Sequence, residues 1–163
     1  MRWIVVVAAG AALSGCVTLG RVAPSGESLT GTWHCGPTAM HGPGFDLSVS
    51  TQTINRADGS YTSLTTSEIT RHGESPVVMR DRASGSWRLE GDILISTVRQ
   101  VEFLSSSDPS IGNELGQKMQ DDLIRQKSVY RSRILAFAGD ALRVVPLGAK
   151  YKEAEVESVC KRI

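Results

Sequence analysis

The fold is decided by the stretch SGSWRLEGDILIST, residues 84–97. Polarity largely alternates along it, because four of its five large apolar side chains fall on odd positions, namely Trp87, Leu89, Ile93 and Ile95. Alternation with a period of two is typical of strands with one buried face. Glu90-Gly91-Asp92 has the composition of a tight turn. We therefore predict two antiparallel strands whose odd-numbered side chains face inward.

The same alternation recurs through most of the chain. FDLSVSTQT, residues 45–53, places its apolar residues on one face, and Asp58-Gly59 is a strong hairpin signal. Further strand patterns at 129–137 and 141–147 flank a turn at Gly139-Asp140. The predicted fold class is mainly β, an antiparallel meander of seven or eight strands.

One segment departs from this pattern, SDPSIGNELGQKMQDDLIRQK, residues 107–127. Asp108 before Pro109 fits a helix N-cap with proline in the first turn. Apolar residues recur every four positions, at Ile111, Leu115, Met119 and Leu123. We predict an amphipathic helix over 111–126, inserted before the last strands. It either packs against the barrel or its mouth, or serves as a mobile lid or a partner-binding helix.

The N-terminus has the layout of an export signal. One charge, Arg2, precedes an apolar or small stretch at 4–13, which is too short to span a membrane of about 30 Å. LSGC, residues 13–16, resembles the bacterial lipobox. This resemblance implies that residues 1–15 are a signal peptide and that Cys16 carries the lipid. A buried helix and an ordinary signal cut elsewhere are the alternatives.

A lipid on Cys16 predicts that the protein contacts a membrane through its anchor. Within the lipobox resemblance, Val17 favours the outer membrane, with the protein facing the periplasm. Residues 16–28 mix Gly, Pro and Ser and are predicted to be a flexible tether, and residues 29–163 a single domain. The chain has 18 basic and 17 acidic residues, so removal of Arg2 leaves equal numbers of the two. This balance favours no nucleic-acid partner.

Lipidation of Cys16 leaves Cys35 and Cys160, near the two ends of the domain. In an oxidising cell envelope, such a pair is most simply a disulfide. It would close nearly the whole domain into one loop and stabilise it by up to roughly 5 kcal/mol. Two buried free thiols are one alternative, and a Cys/His metal site is another. No recognised ligand spacing supports a metal or cofactor, and none is predicted.

LTGTWHC, residues 29–35, followed by ADGSY and SGSWRLEGDIL, resembles lipocalin-like small barrels. The resemblance implies that Trp33, in the Gly31-x-Trp33 motif, closes the barrel floor. It also implies that a basic side chain from a late strand, here Arg162, packs across the indole. The predicted helix departs from the family pattern, because it precedes the last strands instead of following the eighth.

Two functions remain open. The protein is either a non-enzymatic binding module for a small apolar molecule or lipid, or a partner of another envelope protein as an inhibitor, immunity or scaffold protein. The histidines and carboxylates form no recognised catalytic motif, so no enzyme is predicted. A ligand cavity would be lined by inward positions, for which the candidates are Phe45, Trp87, Ile93, Ile95 and Phe103.

The anchor assignment gives the first testable expectation. Cys16→Ser should release the domain into the soluble fraction, because a single thioether-linked lipid is the predicted attachment. Cell fractionation followed by a high-salt wash measures this. A variant that still fractionates with membranes after the wash contradicts the assignment.

Overall fold

The structure, a computed structural model of the chain, describes residues 24–149 and 154–163. Cys16, the signal peptide 1–15 and most of the tether 16–28 lie outside this range. Within it, no helix has the length and apolar character needed to cross a membrane.

Eight antiparallel strands, each hydrogen-bonded to its neighbour in sequence, form a closed barrel, since the last strand pairs with the first. The predicted fold class is therefore confirmed, with eight strands and one long helix between the fifth and the sixth. In chain order the elements are α1 (Gly26–Leu29), β1 (Gly31–Gly42), β2 (Phe45–Asn55), β3 (Ser60–Arg71), β4 (Val77–Glu90), β5 (Ile93–Ser106), α2 (Asn113–Gln126), β6 (Val129–Ala138), β7 (Ala141–Leu147) and β8 (Ser158–Arg162).

The barrel closes along a short seam between β1 and β8. Trp33 lies opposite Arg162, and Cys35 lies opposite Cys160. The two cysteines form a disulfide, as predicted from the sequence. A covalent link at a seam of three residue pairs compensates for the short stretch of ladder hydrogen bonds there.

Trp33 occupies the closed end of the barrel, beneath α1, and is only 2 % exposed. Its indole Nε1 donates a hydrogen bond of 2.9 Å to the carbonyl oxygen of Leu29. The Arg162 guanidinium lies 4.4 Å from the indole centroid, in the arrangement that the lipocalin resemblance implies. Arg162 also donates hydrogen bonds to the carbonyl oxygens of Ser28 and Thr30. It therefore ties α1 to the last strand.

Gly31 is required at this junction. Its φ is +123°, and a Cβ placed there would lie 2.6 Å from Nη1 of Arg162. Any other residue would be strained and would displace the guanidinium from the indole.

A cluster of fully buried side chains lies at this closed end. It draws on six of the strands and α1, and comprises Leu29, Trp33, Tyr61, Trp87, Ile134, Leu142 and Cys160. Among the described residues, four further buried apolar side chains lie outside this cluster, namely Met79, Ala83, Ile95 and Phe103.

The barrel wall is uneven in height. The strands β1 to β5 have 11 to 14 residues, whereas β6, β7 and β8 have 10, 7 and 5. Only residues 93–97 of β5 pair with β6. The upper part of β5 therefore has a free edge, and α2 packs against it.

The helix differs from its prediction in two ways. It begins at Asn113 with Gly112 as the N-cap, whereas Asp108 accepts a hydrogen bond from the Ser110 amide in the preceding turn. The predicted apolar stripe is also divided, because Leu115 and Leu123 are 48 % and 53 % exposed, whereas Ile111 and Met119 border a pocket with Met79 of β4. The buried positions are instead Gly116 and Gln120. Close contact with the free edge of β5 favours a small residue and an amide over leucines.

The hairpin between β4 and β5 corrects a second expectation. Glu90 pairs with Ile93, so the turn contains two residues and not three. One residue fewer moves every β5 side chain to the opposite face relative to β4. Trp87 consequently lies opposite Ser96, and Ile95 lies opposite the exposed Arg88. The register therefore does not place Ile93 and Ile95 on the face of Trp87, although Ile95 is buried, with only 1 % of its surface exposed.

The closed end yields a stability prediction. Trp33→Ala should lower the free energy of unfolding by about 3 to 5 kcal/mol, because a large buried ring is lost. Arg162→Ala should cost less, and the double variant should cost less than the sum of the two single changes, because the side chains are in contact. Denaturant unfolding of the three variants measures this. Strict additivity would show that the stacking contributes nothing.

Candidate functional site

The candidate site is the barrel interior above the core cluster. One cross-strand row identifies its inward face, because residues directly opposite each other in a sheet share a face. The row starts at the buried disulfide and runs Cys35, Thr51, Thr65, Asp81 and Phe103, across β1 to β5. Both of its ends are buried or joined to the core, so Thr51, Thr65 and Asp81 point into the barrel.

At this level the inward side chains of β2 and β3 are small. The row below, on the same face, runs Trp33, Thr53, Ser63, Ala83 and Val101, and its three middle members are small as well. An eight-stranded barrel is just filled when its interior carries large side chains, so the small side chains on β2 to β4 predict unfilled space beside them. Thr51 and Thr65 are accordingly only half-buried although they face inward. Their hydroxyl oxygens lie 3.5 Å apart.

Asp81 is the chemically distinctive residue of this interior. Burial raises the pKa of its carboxyl group to about 6, since removal from water disfavours the charged form. No ion pair or hydrogen bond joins its carboxylate to any residue in the described ranges. At neutral pH the interior therefore holds a largely ionised carboxylate without a partner among those residues.

Two tyrosines extend this polar region. Burial, reinforced by the negative charge of Asp81, raises the pKa of Tyr130 at the start of β6. Burial, followed by the effect of Tyr130, raises the pKa of Tyr61 to about 12. Both phenols are therefore neutral at physiological pH. Tyr130 lies near the rim of the short wall and is 43 % exposed.

The open end has an apolar lining. A pocket of about 530 Å³ lies between the β1–β2 hairpin and the β7–β8 connection, which contributes Ala154. Met40, Phe45 and Leu47 line it, and Met40 pairs with Leu47 across the hairpin. Leu47 shares its inward face with Thr51 on the same strand. The polar interior is thus bordered by apolar side chains at the mouth.

Helix α2 seals the free edge of β5 through one amide side chain. Gln117 accepts a hydrogen bond from the Phe103 amide and donates one to the Val101 carbonyl, both of 2.9 Å. These are the bonds that a neighbouring strand would otherwise make. A Cβ at Gly116 would lie 2.5 Å from the Phe103 ring, so glycine is needed for this approach.

The five cavity candidates predicted from the sequence are not brought together. Phe45 lines the mouth pocket, Trp87 belongs to the core cluster, and Phe103 is buried beneath α2. By register, Ile93 and Ile95 lie on the face opposite Trp87, although Ile95 is buried. Phe45 borders the mouth pocket, whereas Trp87 borders a different pocket beside α1.

Sequence reasoning missed Asp81, although a signal for it exists. The inward positions of β4 carry Val77, Met79, Ala83 and Trp87, and a lone carboxylate interrupts this apolar face. In an alternating strand pattern, an acidic residue on the buried face indicates a candidate binding group.

Other chemistry is sparse in the described residues. No three His, Cys, Asp or Glu side chains there converge on a point suited to a metal ion. His41 contacts Asp46 at 2.7 Å, but both lie exposed at the mouth. The chain matches no protein-family model, and no curated protein is significantly similar to it.

The buried carboxyl predicts a pH-dependent stability. Because the pKa of Asp81 is raised in the folded state, its contribution to the free energy of unfolding depends on pH. This contribution is fully present below about pH 4 and is lost as the pH rises through 6. Asp81→Asn removes this loss. The variant should gain roughly 1 to 2 kcal/mol over wild type between pH 4 and pH 7.5, after allowance for solvent in the interior.

Denaturant unfolding of wild type and Asp81→Asn across this pH range provides the measurement. Glu68→Gln is the matched control, since Glu68 is an exposed, outward-facing carboxylate on β3. Its stability difference from wild type should stay constant with pH. A flat difference for Asp81→Asn as well would mean that the carboxyl is fully hydrated.

Proposed function

We propose that the protein is a non-enzymatic binding module for a small, largely apolar molecule or lipid, held inside the barrel. The single observation that carries this proposal is a pair of neighbouring rows of small inward side chains, Thr51 and Thr65 in one and Thr53, Ser63 and Ala83 in the next. We expect such rows to leave unfilled space in a closed barrel, and the adjoining mouth is apolar.

The cellular setting is part of the same proposal. The lipobox-like LSGC supports a lipid on Cys16 and residence at the outer membrane, facing the periplasm. The chain emerges at Pro24 beside α1, at the closed end. A tether attached there leaves the mouth directed away from the membrane surface, where a soluble ligand or a delivering protein reaches it.

A second candidate function rests on a different observation. Leu115, Met119 and Leu123 form an exposed apolar stripe on α2. Stripes of this kind are typical of surfaces that bind another protein. An envelope protein seated on this stripe would make the chain an inhibitor, immunity or scaffold protein, as the sequence alternative holds.

The carrier proposal is tested by filling the interior. Thr65→Phe places a ring inside the barrel, whereas Thr66→Phe, one residue further on, places the same ring on the outer face. Calorimetric titration with dodecanol should give an affinity reduced at least about tenfold for Thr65→Phe only, the equivalent of about 1.4 kcal/mol. Thermal melting establishes that both variants fold. Equal affinities for the two variants, or no binding by wild type, would contradict the proposal.

A further inference from the structure

We propose that the ligand carries a primary-amine head and that the Asp81 carboxylate receives this head as an ion pair inside the barrel, with the apolar tail directed toward the mouth. This inference rests on the proposed carrier function and names the class of ligand, an amphiphilic amine.

The first argument is charge. Asp81 faces inward between Thr65 and Phe103, without an ion pair or hydrogen bond among the described residues. Asp81 is only partly exposed, so its carboxylate has lost part of its hydration, and a cation that binds beside it offsets this cost. No other inward position of the eight strands carries a carboxylate.

The second argument is the set of acceptors around that carboxylate. A primary ammonium group donates three hydrogen bonds and accepts none. Thr65 is the cross-strand neighbour of Asp81, and Thr51 is the next residue in the row, so two hydroxyl oxygens lie on the same face. Phe103, opposite Asp81, adds an aromatic ring, which attracts a cation, whereas the Tyr130 ring already has the Lys127 ammonium 5.4 Å from its centroid.

The third argument excludes an anionic head from the same position. The described strands place two basic residues on the inward face, one at each end of the barrel. Arg162 is occupied by the Trp33 ring and two carbonyl oxygens at the floor. Arg71, at the mouth, is exposed and lies 3.7 Å from Glu74. Neither reaches the level of Asp81, and Lys127, just before β6, lies over the Tyr130 ring and donates a hydrogen bond to the Gly148 carbonyl oxygen. A carboxylate or phosphate head beside Asp81 would therefore meet a like charge.

The fourth argument is the path for the tail. From Thr51 toward the mouth, the inward positions of β2 are Val49, Leu47 and Phe45. Along β2, Thr51 and Phe45 are separated by about 20 Å, at roughly 3.3 Å per residue. On β4 the next inward residue toward the mouth is Met79. The interior therefore changes from a polar level at Asp81 to an apolar level at the mouth, as an amphiphile requires.

The test compares three ligands with the same tail: dodecylamine, dodecanol and dodecanoate. Each is titrated calorimetrically, below its aggregation concentration at pH 7.5, into the full chain carrying Cys16→Ser. Dodecylamine should bind at least about tenfold more tightly than dodecanol, the range expected for a charge-assisted hydrogen bond. Dodecanoate should bind more weakly than dodecanol.

Two variants assign the effect to the carboxylate. Asp81→Asn keeps the side-chain shape and should remove the preference for dodecylamine over dodecanol. Glu68→Gln, on the outer face, should retain the preference. Because the ligand series is also measured on unaltered Asp81, the inference stays testable if Asp81→Asn fails to fold.

The titrations distinguish a failure of the amine inference from a failure of the carrier proposal. If dodecanol binds and dodecylamine binds no more tightly, the amine inference is wrong and the carrier proposal stands. A preference that survives Asp81→Asn also overturns the inference. If none of the three ligands binds, both the inference and the carrier proposal are wrong.

Discussion

The interior of this protein exists because a very short seam holds the barrel closed. Only three residue pairs join β1 to β8, and two of them carry an additional link: the Cys35–Cys160 disulfide and the stacking of Arg162 on Trp33. Ladder hydrogen bonds in so short a pairing stabilise it weakly, since each contributes about 1 kcal/mol net. The covalent bond and the buried indole supply what the ladder lacks. Without them, β1 and β8 would be edge strands and the enclosed space would open to solvent.

Because the barrel is closed and packed at its floor, the level above the floor does not need large apolar side chains. The main cluster of buried side chains lies at the floor, where Trp33, Trp87 and Leu142 meet beneath α1. Above it, the inward positions are free to carry small or polar residues, because they are not needed to hold the sheet together. The structure thus separates a level that stabilises the fold from a level available for binding. Asp81 lies in the second level. Desolvation of its carboxylate lowers the stability of the fold, and the packing of the first level offsets this loss.

The uneven wall gives α2 its place. The short strands leave the upper edge of β5 unpaired, and Gln117 takes the hydrogen bonds that a strand would have made there. Using an amide and a glycine for this contact leaves the leucine stripe on the outside. One helix thereby completes the barrel wall and presents an apolar surface, so carrier and partner functions are compatible in one molecule.

Several features follow from local chemistry and were readable from the sequence. Period-two alternation predicted the antiparallel strands, because each strand buries one face. Two cysteines left after the lipobox cysteine predicted the disulfide, and the tryptophan of the Gly31-x-Trp33 motif predicted the closed end through a family resemblance. These predictions depend on residue type and approximate position only, so errors of one residue do not affect them.

Other features were decided by the tertiary structure, because they depend on single residues in turns and bulges. A two-residue turn after Glu90 moved Ile93 and Ile95 to the face opposite Trp87. A bulge near Gly85 then restored the register, so that Phe103 faces inward opposite Asp81. The sequence supplied the alternation, but the phase of that alternation is set by how many residues each turn and bulge contains. The same reason applies to α2: its apolar period was clear, yet the free edge of β5 selected Gly116 and Gln117 as the contact face.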